Sequence, residues 1–248
     1  MTRKKWTMKI SKSHPRYESL KIREQLEKGI ALGITSLNGL IAHGRGEAFD
    51  YLIGEKTHEF AKRAIEATAA QLVLAKHPVI SVNGNSAILS AKELVALASL
   101  LHAPLEVNIF HASKTREKNI KNHLEKHGAS RVLLPQKNYT IEYLASNRKF
   151  VNPDGIFIAD VVFVPLEDGD RAEALMRNGK KVITIDLNPL SRTAQKSTIT
   201  IVDNITRAMP LLIQEVKRQQ GTDKKLSLQN YDNNEILKQA IVLLRKGC

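Results

Sequence analysis

Cysteine is nearly absent from this sequence: its 248 residues include one, Cys248. A single cysteine excludes an intramolecular disulfide and a cysteine-based zinc site, and such scarcity is typical of a reducing compartment. Long apolar runs are absent too, since no window holds the roughly 18 uninterrupted apolar residues of a membrane span, and the basic residues 1–12 have no apolar stretch behind them. The sequence therefore predicts a cytoplasmic protein with no signal peptide and no membrane contact.

Aromatic residues make up only 5% of the chain, although the formal net charge is +13 and the isoelectric point is near 9.8. The rest of the composition, with 42% apolar and 25% charged residues, is that of an ordinary globular protein. Most of the excess positive charge lies in residues 1–12 and 217–248, and the body between them is nearly balanced. Because basic segments without interleaved aromatic residues are a weak sign of nucleic-acid binding, that function remains only an alternative.

Neither common phosphate-binding fingerprint is present. The Walker motif is missing, and the segment GRGEAF at residues 44–49 ends in phenylalanine where the dinucleotide motif needs glycine. A dinucleotide-dependent oxidoreductase is therefore a second alternative, which the sequence disfavours. The two glycines predict a flexible turn that admits a close approach of the backbone. Arg45 between them is a candidate anion ligand, because a guanidinium binds phosphate through a planar fork of donors.

The first third of the chain has helical periodicity. Residues 13–33 and 56–76 predict helices, and a loop is expected around residues 38–46 because that segment contains Asn-Gly and Gly-Arg-Gly. The second helix has a small-residue face that favours either core packing or a helix–helix dimer seam. That face comprises Ala61, Ala64, Ala67, Thr68, Ala70 and Leu74.

From residue 77 onward, short apolar runs alternate with helical stretches. Strands are predicted at residues 78–82, 105–110, 131–134, 160–165, 181–187 and 199–202, and helices at 91–102, 114–126, 170–178, 191–196 and 204–219. Runs such as VVFV at 161–164 are typical of strands buried on both faces. The alternation predicts an α/β, Rossmann-like three-layer fold with a mainly parallel sheet, in which ligands bind beyond the carboxyl ends of the strands.

The remaining segments set the domain boundaries. Residues 1–12 are interpreted as a basic extension, residues 13–220 as a single Rossmann-like domain with a helical part at 13–76, and residues 221–248 as a C-terminal extension. Within that extension, residues 221–234 are polar and linker-like, and apolar residues at helical spacing predict an amphipathic helix at 235–246. Residues 136–155 are polar and poorly periodic.

Polar residues follow four of the predicted strands. They are Asn83-Gly84-Asn85, Glu167-Asp168-Gly169-Asp170-Arg171, Asp186-Leu187-Asn188 and Asp203-Asn204. Asp and Asn are also ordinary turn and helix-cap residues, so one such loop alone indicates little. Four of them at one edge of a parallel sheet favour a ligand site there.

Two further patterns do not indicate sites. His123 and His127 have the spacing of metal ligands on a helix, but no third ligand is in view and lysines flank them, which favours a solvated helix face. Ser191 lacks the flanking glycines of a nucleophile elbow, so we do not expect it to be a nucleophile.

Five ordered segments carry a resemblance to a known family. They are SKSHPRYESL at 11–20, GLIAHGRGEAFDYL at 39–52, PVISVNGN at 78–85, VPLEDGDR at 164–171 and IDLNPLSR at 185–192. Together they resemble archaeal phosphopantothenate synthetase, which is also called 4-phosphopantoate:β-alanine ligase. The resemblance extends over residues 11–216.

The resemblance implies a homodimer with a Rossmann-like fold, in which residues 13–76 supply nucleotide and dimer contacts. It implies that the enzyme joins 4-phosphopantoate to β-alanine in coenzyme A biosynthesis, with ATP as co-substrate and Mg²⁺ as the expected cation. A carboxylate does not react with an amine at neutral pH, so activation as a phosphopantoyl adenylate, with release of pyrophosphate and then AMP, fits this reaction. Catalysis would consist mainly of orienting the reactants and stabilising phosphate charge.

The resemblance also implies roles for individual residues. ATP contacts are implied for Arg23, Arg45, Asp186, Leu187, Asn188, Arg192, Thr193, Asn204 and Ile205. Substrate contacts are implied for His14, Arg16, His43, Asn83, Asn85, Asp168, Asp170 and Arg171. Glu47, Asp50, Asp168 and Asp170 are candidates for holding Mg²⁺ or positioning the amine. The general base is expected to be His43 or Glu47, and Arg45 completes the catalytic set.

The chain departs from the family pattern at residues 1–10, 143–150 and 221–248. The first and last of these segments are interpreted as extensions beyond the common core, and we expect deletion of residues 1–12 and 221–248 to leave most of the activity. The resemblance implies that residues 143–150 replace an acidic segment with His and Gly, of which only Arg148 is retained. That replacement leaves open how the second substrate binds.

Overall fold

The computed structural model describes residues 10–220 and 226–246, which form an α/β fold around a six-stranded sheet. The strands in chain order are β1 (Pro78–Val82), β2 (Leu105–Val107), β3 (Val132–Leu133), β4 (Gln136–Thr140), β5 (Phe150–Val151), β6 (Val161–Phe163), β7 (Lys181–Ile185) and β8 (Ile199–Ile201). Six of them form a sheet of order β3-β2-β1-β6-β7-β8 in which every neighbouring pair is parallel, and β4 and β5 form a separate antiparallel pair. The predicted fold class is confirmed.

Helices lie on both faces of the sheet. They are α1 (Tyr17–Ala31), α2 (Leu37–Leu52), α3 (Glu59–Leu74), α4 (Gly84–Leu101), α5 (Lys114–Lys126), α6 (Gly169–Arg177), α7 (Arg192–Lys196), α8 (Ile205–Gln219), α9 (Leu226–Gln229) and α10 (Asn233–Lys246). A 3₁₀ turn (Asn147–Lys149) and a π-type turn (Pro153–Phe157) lie between β4 and β6. No helix in this part of the chain is both long and apolar enough to cross a membrane.

Side chains of the strands alternate between two cores, one on each face of the sheet. Ile80 and Phe163 enter the larger core, which α1, α3, α4, α5 and α8 cover. Val79 and Val162 enter the smaller core, which lies beneath α6 and residues 139–159. Both faces of these strands are therefore buried, which explains the continuous apolar runs in their sequences.

The loop predicted around residues 38–46 is wrong, because these residues belong to α2. Ser36 caps the helix, since its Oγ accepts a hydrogen bond from the Gly39 amide at 3.3 Å. Glycines lower helix propensity, but the packing of α2 against α1 and α4 offsets that cost. Arg45 is therefore displayed on a helix surface and not on a flexible glycine turn.

Helix α4 begins at Gly84 and has a kink at Ser90, so the helix predicted from residue 91 corresponds to its second segment and the segment at its start was not predicted. Asn83 and Ser86 form a capping box, in which the Asn83 side chain accepts from the Ser86 amide at 3.0 Å and the Ser86 hydroxyl accepts from the Asn83 amide at 3.0 Å. The Asn-Gly-Asn sequence after β1 is therefore a helix start. By contrast, β1 and α5 have the predicted bounds, and the other predicted elements differ by a few residues at their ends.

The small-residue face of α3 lies in the protein core except at Leu74, which is 44% exposed. Ala61, Ala64, Ala67 and Thr68 are fully buried, and α8 packs against this helix. Small side chains allow the two helices to approach closely. Of the two alternatives for this face, core packing is therefore the one that the structure supports.

The amphipathic helix predicted near the C-terminus is present as α10. Its Ile236, Leu237 and Ala240 are buried in the larger core, where α10 contacts α3, α7 and β8. This helix is thus part of the folded body and not an appendage. Residues 1–9, which hold most of the expected basic extension, and residues 221–225 lie outside the described part of the chain.

Candidate functional site

The direction of strand addition reverses between β1 and β6. From this point β2 and β3 lie on one side, and β7 and β8 lie on the other. Asn83 bridges the two halves, because its Nδ2 donates to the carbonyl oxygens of Pro165 at 3.3 Å and Leu166 at 2.9 Å. Open parallel sheets bind ligands beyond the strand ends at such a reversal.

A cavity of about 320 Å³ lies beyond the carboxyl ends of β6, β7 and β8, and we call it the strand-edge cavity. Its walls come from α2 and from the loops that follow these three strands. The lining includes His43, Arg45, Asn85, Glu167, Asp168, Asp186, Leu187, Asn188, Arg192, Thr193, Asn204 and Ile205.

A second cavity of about 300 Å³, which we call the α5 cavity, adjoins the first beyond the ends of β1 and β2. The two cavities share lining residues, among them Arg45, Asn85 and Asp168. The wall that is not shared includes His111 and Arg116. The reversal point of the sheet thus carries one continuous depression with two lobes.

A third cavity of about 580 Å³ lies among α1, α2 and α8, and we call it the α1 cavity. It shares His43 and Asn204 with the strand-edge cavity. Its lining includes His14, Arg16, Glu47, Asp50 and Arg207. Since α2 contributes to all three cavities, this helix connects every part of the candidate site.

Glu47 is the centre of an ion-pair cluster in the α1 cavity. Its carboxylate accepts from Arg16 Nη2 at 2.7 Å, from Arg23 Nη2 at 2.8 Å and from Ser19 Oγ at 2.7 Å. Burial alone would raise the pKa of Glu47, but the hydrogen bonds from Arg23 and Ser19 outweigh it and hold the pKa below its ordinary value. A carboxylate committed to two cations is a poor proton acceptor.

His43 lines both the α1 cavity and the strand-edge cavity. Burial of its ring lowers the pKa of His43, and the opposing effect of the nearby Glu47 charge only partly offsets this. The imidazole is therefore neutral at physiological pH. A neutral imidazole beside a cavity is the form that can accept a proton.

The loop after β8 is fixed by a second ion-pair cluster. Arg207 Nη2 donates to Asp50 Oδ1 at 2.5 Å and to Asp203 Oδ1 at 2.7 Å. Asn204 donates through Nδ2 to Asp50 Oδ2 at 2.8 Å, while its Oδ1 caps α8 by accepting from the Thr206 amide at 3.1 Å. These contacts tie α2 to α8 and set the position of Asn204 in the cavity wall.

The loop after β7 is organised by Asp186. Its carboxylate accepts from the Asn188 amide at 2.9 Å and from the Ser191 hydroxyl. Burial raises the pKa of Asp186. Ser191 also caps α7 by accepting from the Ala194 amide at 2.9 Å, so its hydroxyl has a structural role.

The loop after β6 rests on a buried ion-pair cluster. Glu167 accepts from Arg171 Nη1 at 2.5 Å and from Arg148 Nη2 at 2.6 Å. Arg148 also donates through Nη1 to Asp168 Oδ2 at 2.9 Å, which orients that carboxylate at the junction of the two lobes. Burial and the neighbouring Glu167 charge raise the pKa of Asp168.

The structure brings most of the expected ATP-site residues to one cavity. The strand-edge cavity is lined by Arg45, Asp186, Leu187, Asn188, Arg192, Thr193, Asn204 and Ile205. Arg23 is the exception, because it lies on α1 with its guanidinium paired to Glu47. Arg192 is exposed and paired with Glu173 on α6, so it would have to leave that partner to contact a ligand.

The expected substrate residues are more dispersed. Asn85 and Asp168 line both lobes of the depression, and Asn83 lines the α5 cavity. His14 and Arg16 lie in the α1 cavity. Two residues line none of these cavities: Asp170, which is exposed at the start of α6, and Arg171, which is fully buried beneath the loop and has no surface to offer a substrate.

The carboxylates expected to bind a metal do not converge. In residues 10–220 and 226–246, no group of three or more His, Cys, Asp or Glu side chains is arranged to hold a metal ion. Glu47 and Asp50 are committed to arginines in the clusters described above. Asp168 alone of the four candidates combines a partly exposed carboxylate with a position in the cavity wall.

Comparison with known proteins agrees with this architecture. The model of the phosphopantothenate/pantothenate synthetase family matches residues 60–247. A 4-phosphopantoate–β-alanine ligase of Methanosarcina mazei is 50% identical over 235 residues, which cover 94% of this chain and 92% of the relative. The ligase of the same name from Thermococcus onnurineus is 51% identical over 244 residues, covering 96% and 93%.

The chain belongs to the phosphopantothenate/pantothenate synthetase family. The match reaches residue 247, so the C-terminal segment lies within the region that the family model describes, whereas the sequence analysis placed it outside the common core. The burial of α10 agrees with that wider match. Neither an oxidoreductase nor a nucleic-acid-binding protein is supported by these relatives.

Sequence reasoning missed two basic residues of the site. Arg207 holds the loop after β8. Its i,i+4 spacing from Asp203 is the sequence feature that could have indicated this pairing at the start of α8. Arg116 lines the α5 cavity from the first turn of α5. Only its place at the start of the helix that follows β2 could have indicated a role in the site. Neither residue stands in a recognisable motif.

Proposed function

We propose that this chain catalyses the ATP-dependent condensation of 4-phosphopantoate with β-alanine, yielding 4′-phosphopantothenate, AMP and pyrophosphate in coenzyme A biosynthesis. The observation that carries the proposal is the pair of adjoining lobes at the reversal point, with Arg45 exposed between them. The similarity to named ligases over nearly the whole chain supports it. Two adjoining lobes suit a reaction in which two substrates must meet.

In the first step, ATP occupies the strand-edge cavity and 4-phosphopantoate enters the α5 cavity. A carboxylate oxygen of phosphopantoate attacks the α-phosphorus of ATP, the bond to the β-phosphate oxygen breaks, and pyrophosphate leaves. Arg45 makes no ion pair in the described part of the chain, although Asp168 and Asp186 lie near enough to interact with its charge. Its guanidinium is thus available to stabilise the negative charge that develops on the α-phosphate.

In the second step, the amine of β-alanine attacks the acyl carbon of the phosphopantoyl adenylate, and AMP leaves as the amide bond forms. The ammonium form of β-alanine must first lose a proton. Of the two candidate bases, we propose His43, because its imidazole is neutral whereas Glu47 is held by two arginines. His14 and Arg16 lie in the α1 cavity, which shares His43 with the strand-edge cavity.

Mg²⁺ fits this site as an ion shared between the protein and the substrate. Magnesium commonly binds through one or two carboxylates together with substrate phosphates. Asp168 is the residue that we propose to hold it, beside the phosphates of ATP, where the ion would neutralise negative charge. Arg148 would keep the Asp168 carboxylate oriented for that role.

We also propose that the chain forms a homodimer in the cytoplasm. Leu37 and Ile41 on α2 are each 68% exposed and lie one helical turn apart, which supports a contact through this helix. The mass of the purified protein, measured by light scattering on a sizing column, tests the proposed homodimer directly.

The proposed reaction is tested by incubating the purified protein with ATP, 4-phosphopantoate and β-alanine and identifying the products by mass spectrometry. We expect AMP, pyrophosphate and phosphopantothenate to form in equal amounts. Full turnover should require both 4-phosphopantoate and β-alanine. Formation of ADP, or no nucleotide turnover by a folded protein, would contradict the proposal.

A further inference from the structure

Arg116 lies at the far wall of the α5 cavity and, among the residues that the structure describes, forms no ion pair with a carboxylate. Its backbone amide donates to the Ser113 hydroxyl at 3.3 Å, but its Nε is buried without a hydrogen-bond partner. The acid that acts on its charge is Glu117, the next residue on α5. Burial outweighs that effect and lowers the pKa of Arg116.

The α5 cavity as a whole has an excess of positive charge. Its basic lining residues are Arg45, His111, Arg116 and Arg148, and its only acidic one is Asp168, which Arg148 already pairs. Partly buried guanidinium groups without partners are costly, so such a wall is suited to an anionic ligand. His111 is exposed at this wall, and Asn38 Nδ2 lies 3.3 Å from its Nε2.

The two unpaired arginines stand on different parts of the cavity. Arg45 lies on the wall shared with the strand-edge cavity, and Arg116 lies on the wall that is not shared. The same lining includes the apolar side chains of Ile109, Phe110 and Leu166. The cavity therefore offers an anion site at each of two walls and an apolar surface as well.

Resting on the proposed function, we propose that Arg116, with His111 and Asn38, forms the subsite for the phosphate group of 4-phosphopantoate. This substrate has a carboxylate at one end, a phosphate at the other and two methyl groups between them. Its carboxylate must face ATP, so it lies toward Arg45, and its phosphate then points toward Arg116. The methyl groups face the apolar lining.

The same guanidinium could in principle bind the carboxylate of β-alanine, which is the other small anion in the reaction. The position of Arg116 favours the phosphate, because β-alanine must bring its amine to the acyl carbon while phosphopantoate already fills the lobe between Arg45 and Arg116. A dianionic phosphate also gains more than a carboxylate from several donors at one wall. Arg116 is thus a specificity residue for the phosphorylated acid.

The test compares 4-phosphopantoate with pantoate, which lacks only the phosphate. Each is titrated calorimetrically into the wild type, Arg116→Gln and Arg116→Lys in the presence of α,β-methylene-ATP. This analogue cannot transfer its adenylyl group to the substrate, so binding is measured without reaction. We expect Arg116→Gln to weaken 4-phosphopantoate binding by about 10- to 100-fold and to leave pantoate binding unchanged. Arg116→Lys should retain part of the preference because it keeps the charge.

Arg177→Gln is the matched control, since Arg177 is an exposed arginine at the end of α6 that stacks on Tyr143 and lines none of the three cavities. Equal weakening of both ligands by Arg116→Gln, or no weakening, would overturn the subsite. In steady-state kinetics of Arg116→Gln, a raised KM for β-alanine alone would instead assign Arg116 to the carboxylate of β-alanine and overturn the phosphate subsite. A wild type that neither binds 4-phosphopantoate nor forms AMP would instead refute the proposed function itself.

Discussion

At the scale of single residues, Arg45 has the clearest expected effect on the chemistry. Arg45→Ala should slow pyrophosphate exchange into ATP, measured with 4-phosphopantoate and without β-alanine, by about 10²- to 10³-fold, as loss of one transition-state donor does elsewhere. The reason is that, among the described residues, no other unpaired guanidinium lines both lobes. Arg177→Ala should leave the rate unchanged, and full exchange in Arg45→Ala would remove Arg45 from the mechanism.

His43 should control the pH dependence of the second step. Because burial lowers its pKa from the ordinary value of 6.5, the imidazole becomes protonated, and unable to act as a base, only below that pH. The rate of adenylate aminolysis should therefore fall on the acid side with a midpoint below 6.5. In His43→Gln that limb should vanish and the step should slow by about 10²-fold or more.

The adenylation step provides an internal control for His43, since pyrophosphate exchange should survive in His43→Gln. His127→Gln serves as the matched substitution, because this residue lies at the end of α5 away from the three cavities. If the rate of adenylate aminolysis still falls on the acid side in His43→Gln, the base is a group other than His43.

The family resemblance named most of the polar residues that line the strand-edge cavity, but it could not give the contacts that decide the role of each side chain. Glu47 and His43 were equal candidates as bases on sequence, and the pairing of Glu47 with Arg16 and Arg23 together with the burial of the His43 ring separates them. Arg171 looked like an anion ligand from its place after β6, but its side chain turns inward to Glu167. Sequence position fixes the loop to which a residue belongs and not the direction of its side chain.

At the scale of elements, the start of α4 depends on a glycine. A Cβ at Gly84 would lie 2.5 Å from the carbonyl oxygen of Ile34, a backbone atom that cannot rotate away. Gly84→Ala should therefore destabilise the protein by about 1–3 kcal/mol, measured by urea denaturation. Because Gly84 opens α4 beside Asn83 and Asn85, ligand binding should weaken as well.

Gly44→Ala is the opposite case and the matched control. Gly44 lies in α2, and apart from its chain neighbours and the backbone of its own helix no heavy atom lies within 4 Å of the position that an alanine Cβ would take there. Alanine should therefore stabilise the helix by about 0.5–1 kcal/mol. Equal responses of the two glycines to alanine would contradict the close packing described at Gly84.

Elements with unbroken periodicity could be predicted from sequence, and those governed by packing could not. β1 and α5 match their predicted bounds because each has a clear apolar pattern and a clear end. The helix α2 was missed because three glycines and an Asn-Gly pair indicate a turn, whereas contacts with α1 and α4 make it helical. The prediction was wrong at the helix that joins all three cavities.

At the scale of the whole molecule, the C-terminal helix should be required for stability. The sequence suggested that residues 221–248 are dispensable, but α10 buries Ile236, Leu237 and Ala240 in the larger core. Leu237→Ala should lower the free energy of unfolding by about 2–5 kcal/mol. Val242→Ala, at a position that is 47% exposed on the same helix, should change it much less.

A truncation after Gln220 should lower the melting temperature further than Leu237→Ala, and any loss of ligase activity should follow that loss of stability. Activity and melting temperature measured on the same samples separate the two effects. An active truncated protein with an unchanged melting temperature would show that α10 does not support the core in solution.

The proposed mechanism activates the carboxylate of 4-phosphopantoate by adenylation, with Arg45 stabilising the charge on the α-phosphate. It is tested most directly with 4-phosphopantoate labelled with ¹⁸O in its carboxylate, in the complete reaction with ATP and β-alanine. If the carboxylate oxygen attacks the α-phosphorus, one labelled oxygen must leave with AMP when the amide forms, and mass spectrometry should find it there. Label in inorganic phosphate with release of ADP, or AMP without label, would contradict an acyl-adenylate.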